Sequence, residues 1–142
     1  MTYQALGVIA DAYIPMLIIA TLLDLSTNTK ERDLSAQKRM ALWLLSSIAL
    51  VYLIRYVDQI LGLWEILNSD YSTHTAFALV FVLYWATKKD MASYIAGTSL
   101  ILYLLLMWYQ QYHSILDMVL TGVAVTIVSV LTYKRYSLSN LR

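Results

Sequence analysis

Apolar residues run along this chain in long, nearly unbroken stretches, with no sustained alternation between apolar and polar positions. Windows of about 19 residues separate five such stretches, each bounded by charged or turn-forming residues. They lie at about 5–23, 40–63, 72–86, 92–109 and 114–133. A helix crosses the hydrocarbon core with roughly 20 apolar residues, so the pattern predicts about five transmembrane helices. The third stretch is short, and its start is expected within the membrane interface rather than beyond it. A membrane barrel would instead show weak alternation in segments of about 10 residues. The expected fold is an all-α integral membrane protein, a single transmembrane domain over 1–142.

Composition narrows this further. Of 142 residues, 60% are hydrophobic and 13% charged, whereas soluble domains carry about 25% charged residues. Five crossings fill the chain and leave no room for a separate soluble catalytic domain. Cysteine is absent, which removes disulfides, thiolate nucleophiles and thiolate metal sites. A net charge of +1 gives no basic surface for nucleic acid. The opening MTYQALGVIADAYIP lacks the positive start and small-residue cleavage site of a signal peptide and is expected to belong to the mature protein.

The basic residues set the expected orientation. Lys30, Arg32, Lys38 and Arg39 fall between the first and second stretches, Lys88 and Lys89 between the third and fourth, and Lys134, Arg135 and Arg142 after the fifth. Cytoplasmic loops retain Lys and Arg, so the N-terminus is expected outside and the C-terminus inside a plasma (inner) membrane. The Lys30 to Arg39 loop reads as a topology signal rather than a lipid-binding patch. Trp108, Tyr109 and Tyr112 suit the outer aromatic belt, and Glu65 and Asp70 read as solvated loop charges. Asp11, near Tyr13 and Pro15, is expected to accept a hydrogen bond inside the bundle.

Only two histidines are present, and this topology brings both to the outer face: His74 at the start of the third helix and His113 at the start of the fifth. Asp117 follows His113 by four residues, which places its carboxylate on the same side of the helix. Such a carboxylate orients an imidazole and stabilises its charged form. Ser72 and Thr73 precede the third helix, whose free N–H groups and positive dipole end offer an anion site. Arg55 lies inside the second stretch, where an ionisable residue is a functional candidate by default. Its alternative is an intrahelical pair with Asp58.

The segments Tyr71-Ser72-Thr73-His74 and His113-Ser114-Ile115-Leu116-Asp117, in this order, resemble the second and third motifs of the type-2 phosphatidic acid phosphatase superfamily, P-S-G-H and S-R-x5-H-x3-D. The resemblance covers the chain from about Arg55 to the end of the fifth helix. It implies a lipid phosphate phosphatase with His113 as nucleophile, Asp117 as its orienter and His74 as general acid. Arg55, Ser72 and Thr73 would hold the phosphate, and no metal or other cofactor is implied. The substrate would be a lipid phosphate or diphosphate drawn from the membrane lipids, and the active site would face the periplasm or the extracellular side. Transfer to an alcohol in place of water is the related alternative. The family's Ser-Arg pair falls on Leu106 and Met107, and its first motif, K-x6-R-P, has no counterpart, since the only proline is Pro15. Two rival readings follow: an inactive member serving as a lipid-binding or scaffold subunit, and a metal site built from His74, His113 and Asp117. A partner membrane subunit or a second copy in a homo-oligomer would be the source of missing cations.

Overall fold

A computed structural model describes residues 3–27 and 34–138. Lys30, Arg32 and Arg142, used above for orientation, lie outside the described residues. The chain forms five α-helices: α1 (Tyr3–Thr27), α2 (Leu34–Leu61), α3 (Thr73–Ala86), α4 (Met91–Tyr109) and α5 (Ile115–Leu138). One short 3-10 turn, Glu65–Leu67, interrupts the α2–α3 connection. No β-strand occurs among the described residues.

Local chemistry fixes the boundaries. Ser72 caps α3 by accepting the Thr75 N–H, and Asp90 caps α4 by accepting the Ser93 N–H. At α5 the capping is reciprocal: Ser114 Oγ accepts the Asp117 N–H at 3.1 Å, and Asp117 Oδ2 accepts the Ser114 N–H at 2.7 Å. Lys89 and Gln111 adopt positive φ where α3 and α4 stop.

Among the described residues four helices are long and apolar enough to cross a membrane, consistent with an all-α, multi-pass membrane protein. The expected fifth span is shorter than a crossing requires. α3 has 14 residues, about 21 Å at 1.5 Å per residue, against a hydrocarbon core of about 30 Å. Its place explains how so short a helix is accommodated: α1, α2, α4 and α5 all pack against it. Ala76, Ala78 and Val80 are fully buried, and Tyr84 is 1% exposed. Small residues let neighbouring backbones approach closely, as membrane bundles require. One core cluster joins α2, α3 and α5 through Trp43, Val51, Phe81 and Val125; a second joins α1, α3, α4 and α5 through Ala10, Ala78, Tyr103 and Met118.

Polar ties fasten the bundle at the end that carries the basic residues. Lys88 pairs with Asp24 of α1, Tyr84 donates its hydroxyl to the same carboxylate, and the Lys88 ammonium sits 4.8 Å from the Trp85 ring centre. Trp43 Nε1 donates to the Ser129 carbonyl at 2.9 Å, linking α2 to α5. Asp11 departs from expectation. It is exposed on α1, and Tyr13 makes the interhelical contact instead, with its hydroxyl 2.9 Å from Ser99 Oγ.

The Lys88 and Asp24 side chains are 7% and 14% exposed, so removing one partner strands the other. Asp24→Ala should lower stability by about 3 kcal/mol, and adding Lys88→Met should recover most of that loss. Thermal unfolding in detergent micelles checks both, and equal losses in the single and double variants would contradict the pairing.

Candidate functional site

At the opposite end of the bundle the α2–α3 connection folds onto the start of α5, and Asp117 is what it folds onto. Gly62 opens the connection with φ of +60°, a value glycine adopts freely. The Asp58 carboxylate then accepts the Trp64 N–H at 2.9 Å, and the Ser69 N–H reaches the Trp64 carbonyl at 3.0 Å. The next two residues meet the Asp117 carboxylate: Ser69 Oγ donates to Oδ1 at 2.7 Å and the Asp70 N–H donates to the same oxygen at 2.8 Å. With the Ser114 N–H on Oδ2, three donors converge on one side chain that is 10% exposed. One turn further along α5, Thr121 Oγ1 accepts the Ser72 N–H at 3.1 Å.

This docking carries the first residues of α3 to the first residues of α5. The rings of His74 and His113 lie with centroids 6.2 Å apart and planes inclined at 52°. His74 is exposed, and the His113 side chain is 19% exposed. Arg55, roughly two turns before the end of α2, donates from Nη1 to Thr73 Oγ1 at 2.8 Å. Its guanidinium is therefore tied to the residue next to His74, while Asp58 turns to the Trp64 N–H. The intrahelical Arg55–Asp58 pair does not form. A cavity of about 220 Å³ opens beside these groups, bounded by Ile14, Tyr52, Thr73, His74 and Phe77.

Two expected roles change in the folded chain. Ser72, expected among the phosphate ligands, is fully buried; its N–H is taken by Thr121 and its hydroxyl by Thr75. It is the cap that fixes α3. Asp117 was expected to orient His113 directly, but His113 Nδ1 stands 3.9 Å from Oδ2, beyond hydrogen-bond reach. The carboxylate acts on the ring through its charge and, by holding the Ser114 N–H, through the backbone beside it. Tyr71, the first residue of the Tyr71-Ser72-Thr73-His74 segment, is 5% exposed and packs inward, with its hydroxyl on the Val51 carbonyl and its ring edge-on to Trp64 at 5.0 Å. Trp108, Tyr109 and Tyr112 are each more than half exposed, as belt residues are.

No family model, curated protein or solved structure matches this chain. Its chemistry is therefore argued from the side chains themselves. Among the described residues no three His, Cys, Asp or Glu side chains converge closely enough to hold a metal ion, so His74, His113 and Asp117 do not form the metal cluster weighed above. Burial pushes the His113 imidazole below its ordinary pKa of 6.5; Asp117 opposes that shift, His74 reinforces it and Asp70 opposes it. The lowered pKa favours the neutral ring, in which a nitrogen lone pair is free to attack or to accept a proton.

The supporting residues Ser69, Ser114 and Thr121 escaped sequence reasoning. The Ser114-x-x-Asp117 spacing of a capping box was the one readable signal, whereas the Ser69 and Thr121 contacts join residues almost 50 positions apart. Asp117→Ala leaves three donors without their acceptor, and it should destabilise the fold by about 2 kcal/mol. Amide hydrogen exchange at Asp70 and Ser114 should accelerate at least tenfold; unchanged exchange there would show that the carboxylate does not hold the connection.

Proposed function

We propose that this protein is a membrane lipid phosphate or diphosphate phosphatase, resembling a short type-2 phosphatidic acid phosphatase, that works through a phosphohistidine. The observation that carries the reading is the approach of two imidazoles from different helices at one end of the bundle, with the Arg55 guanidinium anchored on the residue adjoining one of them. A nucleophile needs about 3 to 3.5 Å to phosphorus, and an acid needs about 3 Å to the leaving oxygen. Rings 6.2 Å apart suit the two sides of one phosphoryl group.

In this mechanism the neutral His113 attacks phosphorus through Nε2, since Nδ1 faces Asp117. The N–P bond forms as the bond from phosphorus to the lipid oxygen breaks. That oxygen keeps the electron pair and takes a proton from His74. The ring of the phosphohistidine carries positive charge, which the Asp117 carboxylate 3.9 Å from Nδ1 offsets. Water then attacks phosphorus, His74 takes its proton, and phosphate leaves as the N–P bond breaks. Arg55, Thr73 and the N-terminus of α3 hold the phosphate oxygens throughout. An alcohol in the place of water would make the same site a phosphotransferase.

In this reading α3 counts as a short central crossing beside the four longer ones, so that the N-terminus and the histidine end would face outward and Lys88, Lys89, Lys134 and Arg135 would face the cytoplasmic side of the plasma membrane. A lipid headgroup reaches such a site without leaving its leaflet.

His113→Ala should abolish phosphate release from a lipid phosphate, and His74→Ala should slow it by about 10²- to 10⁴-fold. Undiminished turnover in His113→Ala would end the assignment. The nucleophile must be neutral, so activity is lost as pH falls through the His113 pKa. Because that value is lowered, the acid limb of kcat/KM should have its midpoint below 6.5. An acid-limb midpoint above 6.5 in the wild-type protein would contradict this.

A second reading, a headgroup-binding subunit without turnover, is favoured by the single cation at this end among the described residues. Orthovanadate, which mimics the five-coordinate phosphoryl transition state, distinguishes the two. The enzyme should be protected against thermal unfolding by it, and a non-enzymatic binder should respond no more strongly than to phosphate.

A further inference from the structure

α4 and α5 are joined by a short link beside His113, yet each packs on α3 and the two diverge below the link. Between them lies a crevice of about 410 Å³ whose floor is Thr75 and Leu79 of α3 and whose walls include Leu104 of α4 and Met118 and Gly122 of α5. Its rim faces outward, with Val119, Val123 and Ile127 each more than half exposed. Gly122 is what keeps it deep. A Cβ there would meet only Leu79 Cδ2, at 4.0 Å, so the missing side chain leaves space and not a backbone contact.

Two features connect this crevice to the histidine end. Its upper lining adjoins the site in sequence, Thr75 following His74 and Met118 following Asp117. Its length also fits one leaflet. From Met118 to Ile127 along α5 it runs about 14 Å at 1.5 Å per residue, close to half of the roughly 30 Å hydrocarbon core.

We infer that the α4–α5 crevice holds one hydrocarbon chain of the lipid whose phosphate sits between His74 and His113. The inference rests on the phosphatase reading and deepens it: the substrate class is a phosphate on a single long chain, or on a lipid that inserts one such chain. A bilayer is as apolar as the crevice, so burial alone gives no preference for entering it. Selectivity comes from packing against a groove of fixed width, and filling the groove removes it. Gly122→Leu fills the floor from α5 and Leu104→Trp fills it from α4, so one variant remains if the other fails to fold.

The experiment uses hexadecyl phosphate and butyl phosphate with the full chain in detergent micelles, together with a hexadecyl phosphate bearing a diazirine at the end of its chain. The ratio of kcat/KM for hexadecyl over butyl phosphate should fall about tenfold or more in either variant. Photolabelling should map to residues 100–104 and 118–127, be displaced by hexadecyl but not butyl phosphate, and decline in the variants. An unchanged ratio in a folded variant, or displaceable label on the Ile14, Tyr52 and Phe77 groove instead, would overturn the assignment. Displaceable label in the α4–α5 crevice without phosphate release from either compound would sustain the chain site and defeat the phosphatase reading.

Discussion

The carboxylate of Asp117 is the constraint from which the histidine end is built. It accepts from the Ser69 hydroxyl and the Asp70 N–H of one segment and from the Ser114 N–H of another, and so joins two connections distant in sequence. A hydrogen bond to a charged acceptor is stronger than a neutral one, and the side chain is almost wholly shielded from water, which strengthens it again. Without that knot, the Ser72–Thr121 bond and apolar packing further along the helices are what hold the start of α3 against α5. The distance between the two imidazoles is therefore a consequence of a loop anchor, and Asp117 serves the site first as a positioning residue.

The anchor suits the unusual position of α3. A 14-residue helix surrounded by four longer ones buries its apolar surface in protein on nearly every side, so it does not need to match the bilayer's thickness. Several of the backbone groups at its ends find partners within the protein. Ser72 caps one end, and the Thr87 and Lys88 N–H groups return to the Tyr84 and Trp85 carbonyls at the other. The short helix thereby sets His74 at the depth where α5 begins and not above it.

Much of this was legible in the sequence, and the divisions follow physical causes. Long apolar runs mark where helices form, and a helix lies at each of the five expected places among the described residues, although α2 begins at Leu34 instead of 40 and α5 runs on to Leu138 instead of 133. A hydropathy window stops at Lys38 and Arg39, but a helix extends past the membrane boundary, and here Arg39 donates back to Ser35 one turn earlier. The meeting of His74 with His113 followed from counting crossings. What escaped were choices among partners: Arg55 prefers Thr73 to Asp58, Ser72 turns inward, and Asp11 faces out while Tyr13 makes the contact. Each depends on the path of a loop or the rotation of a helix, which composition and spacing do not encode.

On the proposed phosphatase reading, the charge at the histidine end bears on how a site with one guanidinium would hold phosphate. A phosphate monoester carries about −1.5 to −2 near neutral pH. Arg55 supplies one positive charge, and the N-terminus of α3 supplies the equivalent of about half a charge. The N–H groups of Thr73 and His74 make no hydrogen bond among the described residues, so they remain available as donors. In a closed, dry pocket the uncompensated remainder would be costly. Arg55 and His74 are exposed, and on the proposed reading interfacial water would solvate the phosphate oxygens that the protein does not reach. On that reading a shallow cup would dispense with the additional cations that an enclosed one requires, at the price of weaker, more salt-sensitive binding of the headgroup, and selectivity would fall to the proposed chain site below it.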